Sequence, residues 1–296
     1  MTWTESPFVV RFRERSRVVD VIIETVAGWR LHAMGRNAAL MTYYGFLSIF
    51  PLFLVATTIL GIVLENNESL REKILDTAIS QIPVIGEEIQ RNAGTIEGTA
   101  TASLAVGFLI ALWAATRAFV GVQRGFDDAW EVPLDRRSNI AKLRLRALLG
   151  IVIIGASLIA AVAVTTIVSV TDFPLITQIL LFAATWAIYV TVLAAMYRVL
   201  TSARLGWRDT IAGALLGGSG FTALQIVGAW FITRFITNAS DTNGVFATVF
   251  ALLAWISMHA MLTMFGAELN AAIARRREGR YATTVSASMQ PARLAG

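Results

Sequence analysis

The sequence predicts an all-α integral membrane protein with six transmembrane helices. The chain of 296 residues is 56% hydrophobic and only 15% charged, and its mean hydropathy is +0.63. Soluble domains are roughly half apolar and roughly a quarter charged, so this composition argues against a soluble enzyme, a disordered protein or a fibrous repeat. Six long apolar runs, with basic residues concentrated in alternate connections, complete the prediction.

A helix needs about 20 mainly apolar residues to cross the hydrocarbon core of a bilayer. Six segments meet this requirement: 38–64, 102–123, 147–170, 175–197, 210–236 and 245–269. Their apolar runs are continuous, whereas barrel strands alternate apolar and polar residues, so helices are predicted. The first run is too long for the core of a signal peptide, and we expect it to stay in the mature protein.

The distribution of basic residues predicts the orientation, because lysine and arginine mark the cytoplasmic side. Twenty of the 25 lie in the N-terminal stretch, the second-to-third and fourth-to-fifth connections, and the tail. The other side has Arg71, Lys73 and Arg91, with Arg234 near a helix end. A multi-pass protein with cytoplasmic N- and C-termini is therefore expected. Anionic lipid on that side accounts for a pI of about 10.1 without nucleic acid.

Residues 1–36 are predicted to form a cytoplasmic amphipathic segment. Arg17, Asp20 and Glu24 share one face of a helix, and apolar residues recur at helical spacing on the other. These apolar residues are Val18, Val19, Ile22, Ile23, Val26 and Trp29. The helix either lies at the membrane interface or packs beneath the bundle, and the pattern favours neither.

Two further segments flank the spans of the membrane domain, which covers 37–274. The external connection 65–101 has an apolar stripe that predicts an amphipathic helix over 69–81, ended near Pro83. This helix is either a lid over the outer mouth or a cap on lipid headgroups. Residues 275–296 are predicted to be a basic and then disordered cytoplasmic tail.

Charged side chains within the spans are candidate functional groups, because they are costly in hydrocarbon. Arg117 in the second span and Glu268 in the sixth lie at similar depths toward the cytoplasm. Arg117 either snorkels to water or lines an inward-facing cavity. An Arg117–Glu268 ion pair would lower the cost of both charges. Asn270, in the same stretch as Glu268, belongs to the same set of cavity candidates.

The first span adds Thr42, Tyr43, Tyr44, Ser48 and Pro51 to the cavity candidates. Proline removes a backbone donor and predicts a kink, and a kinked polar half-helix suits the wall of a cavity. An aromatic belt at the interface explains the two tyrosines as well.

His259 lies near the midpoint of the sixth span. Two roles are open for it: a proton relay, or a neutral histidine hydrogen-bonded inside the bundle.

Motifs of soluble chemistry are missing. There is no cysteine, no Gly-Lys-Ser/Thr loop, and no His-x-His or His-Glu-x-x-His spacing. The adjacent Asp127 and Asp128 are interpreted as a solvated face. We therefore expect no catalytic residue, no metal and no cofactor. Membrane lipids, anionic on the cytoplasmic side, are the expected partners; nucleic acid is not, and a homo-oligomer stays open.

Several stretches, in the right order over about 37–274, resemble the YihY/BrkB family of bacterial inner-membrane proteins, also labelled virulence factor BrkB and formerly ribonuclease BN. These stretches are 39–44 (ALMTYY) with 47–52 (LSIFPL), 112–119 (LWAATRAF), Tyr197-Arg198 with Trp207-Arg208-Asp209, and 266–271 (GAELNA) after Trp255. Thr201, Ser257 and His259 depart from the family pattern. The role of His259 therefore cannot be carried over from the family.

The resemblance implies a six-span bacterial inner-membrane protein. It favours a transporter or flippase-like exporter of a polar or anionic solute or lipid-linked molecule, with a cavity near Tyr43, Tyr44, Ser48, Arg117 and Glu268. The alternative is a non-transporting scaffold or envelope-integrity factor. A polar, inward-facing cavity favours transport, and a sealed apolar bundle favours the scaffold. The residues do not support the ribonuclease label, because no catalytic constellation is found.

Overall fold

The computed structural model describes Arg13 and residues 16–63, 100–168, 174–231 and 241–280. All regular structure within these ranges is helical. A short 3-10 turn at Leu134–Arg136 accompanies seven α-helices: α1 (Arg17–Leu31), α2 (Met34–Val63), α3 (Ala100–Ala129), α4 (Ile140–Val168), α5 (Pro174–Leu200), α6 (Trp207–Phe231) and α7 (Asp241–Arg277).

The six predicted spans fall on α2 to α7, in order. Four described helical stretches are long and apolar enough to cross a membrane: Ile140–Ala161, Gln178–Leu200, Trp207–Gly228 and Val249–Arg277. The count of six spans therefore stays a prediction. The helix predicted over 69–81 lies outside the described residues, as does the tail beyond residue 280. The first residues of that tail, Arg275, Arg276 and Arg277, form the last turn of α7.

Helix α7 is the centre of the bundle and packs against α6, α2, α1 and α3. Small residues let these helices approach closely, as expected where lipid offers no hydrophobic drive between helices. Gly213 of α6 faces Gly266 of α7, and a Cβ at Gly213 would collide with the backbone carbonyl of Gly266. Buried alanines such as Ala260, Ala267 and Ala271 continue this close-packed seam along α7.

The outer surface of the bundle is apolar. Ile159 is 72% exposed and Phe250 is 68% exposed, and large aliphatic residues are exposed on α3, α4, α5 and α6 as well. Contiguous apolar surface of this extent is not stable in water, and it suits contact with lipid tails.

Helix α1 packs on the bundle through its charged face. Asp20 and Glu24 are buried against α7, whereas Val18, Ile22 and Val26 are exposed. Of the two interpretations of this segment, packing against the bundle is what the structure has. These three residues of the apolar stripe face outward, whereas Trp29 packs against Phe265 of α7, so an additional location at the membrane interface stays a prediction.

The ends of several elements meet at one end of the bundle, called here the arginine-rich end. It comprises α1, the C-terminal ends of α3, α5 and α7, and the first turns of α4 and α6. Contacts across it join Arg275 to the carbonyl of Ala129, and Arg277 to Asp209. The sequence predicts that this end faces the cytoplasm.

Candidate functional site

The structure does not bring the predicted cavity residues into one cavity. Glu268 lies in a buried ionic cluster, Asn270 at a helix crossing, Arg117 in an outer groove and His259 beside an internal cavity. Each place is formed by a different combination of helices and has a different chemistry.

The ionic cluster occupies the arginine-rich end, and its eight members come from α1, α3, α7 and the segments beside them. Four carboxylates face three guanidiniums and one imidazole. The members are Arg13, Asp20, Glu24, His32, Glu131, Glu268, Arg275 and Arg276. The charges balance when His32 carries a proton.

Arg275 is the centre of the ionic cluster, and it is only 3% exposed. Its Nη2 donates to Glu268 Oε1 at 2.6 Å, and its Nη1 donates to the Ala129 carbonyl at 2.8 Å. Its Nε lies 3.4 Å from Glu24 Oε1. One guanidinium thus links α1, α3 and α7. Such a buried charge is tolerated because each of its three nitrogens has a hydrogen-bond partner.

The outer ion pairs of the cluster hold α1 against the bundle. Arg13 Nη2 donates to Glu24 Oε2 at 2.8 Å, and Arg13 Nε lies 3.1 Å from Asp20 Oδ1. On the other side, Arg276 Nε lies 2.8 Å from Asp20 Oδ2. The polar face of α1 is therefore the face that packs, because its carboxylates meet guanidiniums there rather than water.

His32 bridges two carboxylates between α1 and α2. Its Nδ1 is 2.9 Å from Glu268 Oε2, and its Nε2 is 3.5 Å from Glu131 Oε1. Burial lowers the pKa of His32, but the hydrogen bonds to Glu131 and Glu268 outweigh it and raise the pKa from 6.5 to about 9. His32 is therefore a cation at neutral pH, which gives the cluster its balanced charge.

Glu131 reaches the cluster through an unusual backbone conformation. Its φ is +51°, in the left-handed region where glycine usually ends a helix. Glu131 N–H donates to the Asp128 carbonyl and Val132 N–H to the Asp127 carbonyl, which is the Schellman pattern. A residue other than glycine destabilises the fold by about 1 kcal/mol or more in this conformation, because its Cβ is crowded. The contacts of the Glu131 carboxylate with His32 and Arg275 help to offset that cost.

The predicted Arg117–Glu268 ion pair is wrong. Both carboxylate oxygens of Glu268 are taken, by Arg275 and by His32, and the residue is fully buried. Arg117 is exposed on the outside of α3, where its guanidinium carbon lies 5.6 Å from the ring centroid of Trp113. Similar depth in the bilayer did not imply contact, because the two side chains leave the bundle axis in different directions.

Arg117 lines a groove between α3 and α4 with a volume of about 570 Å³. Two more arginines, Arg124 and Arg144, line the same groove among aliphatic side chains and Trp113. The groove lies on the outer surface and is not part of the ionic cluster.

The polar residues of the first span point to several places. The hydroxyls of Thr42 and Ser48 donate to carbonyls of their own helix, at Ala38 and Gly45. Tyr43 is 57% exposed. The ring of Tyr44 packs edge-on against Trp113 at 6.3 Å, which places it next to the groove arginine Arg117.

Pro51 lies within α2, which continues to Val63, and its side chain is outside the described part of the structure. The kink that the sequence predicts at this proline therefore stays a prediction.

Asn270 fastens α7 to α6. Its Oδ1 accepts the N–H of Gly213 at 2.6 Å, and its Nδ2 donates to the Thr210 carbonyl at 3.2 Å. The close Gly213–Gly266 approach is what brings these backbone groups within reach. The geometry gives Asn270 a packing role between two helices.

His259 lines a cavity of about 320 Å³ among residues of α2, α4, α5, α6 and α7, called here the internal cavity. It opens on the surface of the bundle, where Ile154 of its wall is 47% exposed. Its Nδ1 lies 2.9 Å from the Trp255 carbonyl, and the ring packs on Phe221 at 4.5 Å. A carbonyl can only accept, so Nδ1 carries the hydrogen. This geometry agrees with the hydrogen-bonded interpretation of His259.

Other polar groups line the same internal cavity. The side-chain amide of Gln225 donates to the Tyr189 hydroxyl at 2.8 Å, which joins α6 to α5. Ser157 of α4 and Thr263 of α7 also line the wall, among mainly apolar side chains.

Asp127 is not part of a solvated face, as the sequence suggested. It is 2% exposed, and its carboxylate accepts three hydrogen bonds from the turn after α5. Thr201 Oγ1 donates at 3.1 Å, and Ser202 donates from N–H at 2.6 Å and from Oγ at 2.9 Å. Thr201, one of the departures from the family pattern, thus has a defined partner in this chain. The neighbouring Asp128 is half-buried and pairs with Arg137 at 2.8 Å.

Comparison with known proteins decides the family. A family sequence model described as virulence factor BrkB matches residues 25–290. The chain belongs to the BrkB family. This confirms the resemblance seen in the sequence motifs, and the match includes every predicted span and all but the N-terminal part of the ionic cluster.

Relatives span much of the chain at low identity. A putative ribonuclease-like protein YfkH of Bacillus subtilis is 22% identical over 86% of this chain and 95% of its own. A UPF0761 membrane protein of Nitrosospira multiformis is 24% identical over 92% of this chain and 65% of its own, so this chain spans under two thirds of that protein. Inner membrane protein YhjD of Escherichia coli is 22% identical, over 85% and 80%. No solved structure matches the chain.

The BrkB-family chain is thus a membrane protein, as the names of its relatives state and as its apolar helices indicate. Its main polar assembly, the ionic cluster, was missed in the sequence apart from Glu268. Asp20, Glu24, His32 and Arg275 lie in segments that looked solvated. Two signals were available: Asp20 and Glu24 recur four residues apart on one helix face, and Glu268 and Arg275 are seven residues apart on another.

Proposed function

We propose that this BrkB-family protein is a transporter or flippase-like exporter of a polar or anionic solute or lipid-linked molecule. The observation that supports it is the cavity of about 320 Å³ that residues of five helices line, with an opening on the surface of the bundle. Polar groups are costly at this depth, so a histidine, a tyrosine–glutamine pair and two hydroxyls around one cavity favour a path for a polar molecule. The volume is near the lower end for ligand sites, which favours a small group in the cavity.

The ionic cluster fits this function as a closure of the arginine-rich end. It joins α1 and α3 to α7, and α7 also lines the internal cavity, so a movement of α7 that opens the cavity toward that end would break contacts of the cluster. A network of paired charges has discrete made and broken arrangements, as the switching element of a transporter needs. Transport therefore predicts that the cluster exchanges partners, whereas a scaffold predicts that it stays intact.

The test is to fill the cavity without disturbing the fold. Ser157→Leu adds apolar volume where α4 lines the cavity. Gly155→Leu is the matched control, because a Cβ at Gly155, on the same helix, meets nothing within 4 Å. Each variant is expressed in a bacterium that lacks its own members of the family, with rescue of an envelope-stress or solute-efflux defect as the readout and blotting to check membrane levels.

We expect Ser157→Leu to abolish rescue and Gly155→Leu to retain it. Full rescue by Ser157→Leu at a normal level would contradict transport through this cavity and favour the alternative, a non-transporting scaffold or envelope-integrity factor. Loss of rescue in both variants would also count against the cavity, because it would tie function to the surface of α4.

A further inference from the structure

The groove between α3 and α4 combines basic side chains with an exposed apolar wall. Its walls are aliphatic, with Leu109 at 64% and Ile140 at 71% exposed. Such residues face lipid tails rather than water. Three guanidiniums nevertheless line it, from Arg117, Arg124 and Arg144.

Within the part of the chain that the structure describes, the three groove arginines are without an acidic partner. Among the described residues, no carboxylate lies within ion-pair distance of Arg117, Arg124 or Arg144. Nearby arginines are engaged: Arg137 pairs with Asp128 at 2.8 Å, and Arg146 donates to Ser138 Oγ at 2.7 Å. The groove therefore concentrates positive charge that no carboxylate of the described residues neutralises.

The arrangement of the arginines follows the groove. Arg117 and Arg124 are seven residues apart, so they share one face of α3 and differ in depth by about 10 Å. Arg144 approaches from the first turns of α4. Trp113 lies one turn before Arg117 and holds its guanidinium near the indole face. This contact fixes Arg117 while leaving its N–H groups free to donate.

We propose that this groove binds an anionic phospholipid of the leaflet at the arginine-rich end. The phosphate oxygens would accept hydrogen bonds from the guanidinium N–H groups, and the acyl chains would lie along the aliphatic walls. A soluble phosphate would use the arginines but not the walls. The complementarity of both charge and apolar surface therefore selects a lipid.

The experiment measures lipid binding to the purified full-length chain in detergent by native mass spectrometry. Phosphatidylglycerol is compared with phosphatidylcholine, which carries a phosphate without net negative charge. The test variant is R117Q/R124Q/R144Q. The control is R36Q/R204Q/R208Q, which removes the same charge from exposed arginines outside the groove. Thermal unfolding checks that each variant is folded.

We expect the wild type and the control to prefer phosphatidylglycerol. The groove variant should lose affinity for it by the order of a hundred-fold, because each arginine near an anionic lipid surface contributes about fivefold. The corresponding triple lysine variant keeps the charge without the fork and should fall between the two. Inorganic phosphate should fail to displace the lipid.

Four results would overturn the proposal. Equal binding of the two lipids by the wild type would remove the charge selectivity, and undiminished binding by the groove variant would remove the site. An equal loss in the control would assign the effect to diffuse charge, and displacement by inorganic phosphate would assign it to a soluble anion. The measurement requires no transport, so its failure is separate from failure of the cavity test.

Discussion

Arg275 and Arg117 are the same residue type in opposite settings. Arg275 is buried at the end of α7, where Glu24, Glu268 and a backbone carbonyl share its donors. Arg117 is exposed on α3, and its described neighbour is the indole of Trp113. The first arginine joins three helices, and the second joins none.

This difference separates the basic residues of the protein into those that stabilise the fold and those that are available to a ligand. A buried guanidinium with carboxylate partners stabilises the fold, because its loss leaves those carboxylates charged and unpaired in a poorly solvated site. An exposed guanidinium without an acidic partner is dispensable for the fold and available to a ligand. Hydropathy alone places both residues near the same end of the bundle.

The largest expected effect is that of Arg275→Met. The substitution keeps much of the volume but leaves the carboxylates of Glu24 and Glu268 without their guanidinium. We expect a loss of about 3–5 kcal/mol in the free energy of unfolding, measured by denaturation in detergent. Arg117→Met is the matched control and should leave stability unchanged. Similar losses in the two variants would erase the distinction between the two arginines.

A double-mutant cycle sharpens the same comparison. Arg275→Met combined with Glu268→Gln should cost clearly less than the sum of the two single changes, because the pair is in direct contact. Arg117→Met combined with Glu268→Gln should be additive. A coupling energy between Arg117 and Glu268, measured by the same denaturation, would support the Arg117–Glu268 ion pair that the sequence suggested.

The next effect concerns pH and His32. The folded-state pKa of about 9 exceeds the ordinary value of 6.5, so the protonated imidazole stabilises the fold between Glu131 and Glu268, against opposition from Arg275. This contribution is full below about pH 6.5 and is lost as pH rises through 9, up to about 3 kcal/mol. His32→Gln should flatten that part of the stability profile. An unchanged profile in the variant would show that another group titrates.

Gly28 tests how tightly the ionic cluster is packed. A Cβ at Gly28 would fall on the Glu268 carboxylate and approach Arg275. Gly28→Ala should therefore destabilise the protein by about 1–3 kcal/mol, despite the better helix propensity of alanine. Gly155→Ala, in open space on α4, should be neutral or slightly stabilising in the same melting experiment. An unchanged stability in Gly28→Ala would mean that the side chains of the cluster can shift to accommodate a methyl group at little cost.

The smallest effects separate two adjacent aspartates. Asp127→Asn turns an amide toward the donors of Thr201 and Ser202, and we expect a cost of about 1–3 kcal/mol. Asp128→Asn weakens a half-exposed pair with Arg137 and should cost less than about 1 kcal/mol. Circular dichroism melts of both variants check the order, and a larger effect at Asp128 would reverse the assignment of the buried position.

The helices could be predicted from the sequence to within a few residues at many ends, because continuous apolar runs of sufficient length leave few alternatives. Of the candidate site, Glu268 was found because a carboxylate in an apolar run is conspicuous. Its partners were not, because Arg275 lies among tail arginines and His32 lies between two helices.

The sequence by itself therefore determined the class, the family and the order of the apolar helices, since these depend on composition and on motifs along one chain. Tertiary structure decided which charges of different helices meet. Depth can be counted at a fixed rise per residue, but the direction in which a side chain leaves its helix matters only relative to a neighbour. Glu268 and Arg275 share one face of α7, the packing of α1 against α7 brings Glu24 and His32 to that face, and Arg117 faces outward from α3.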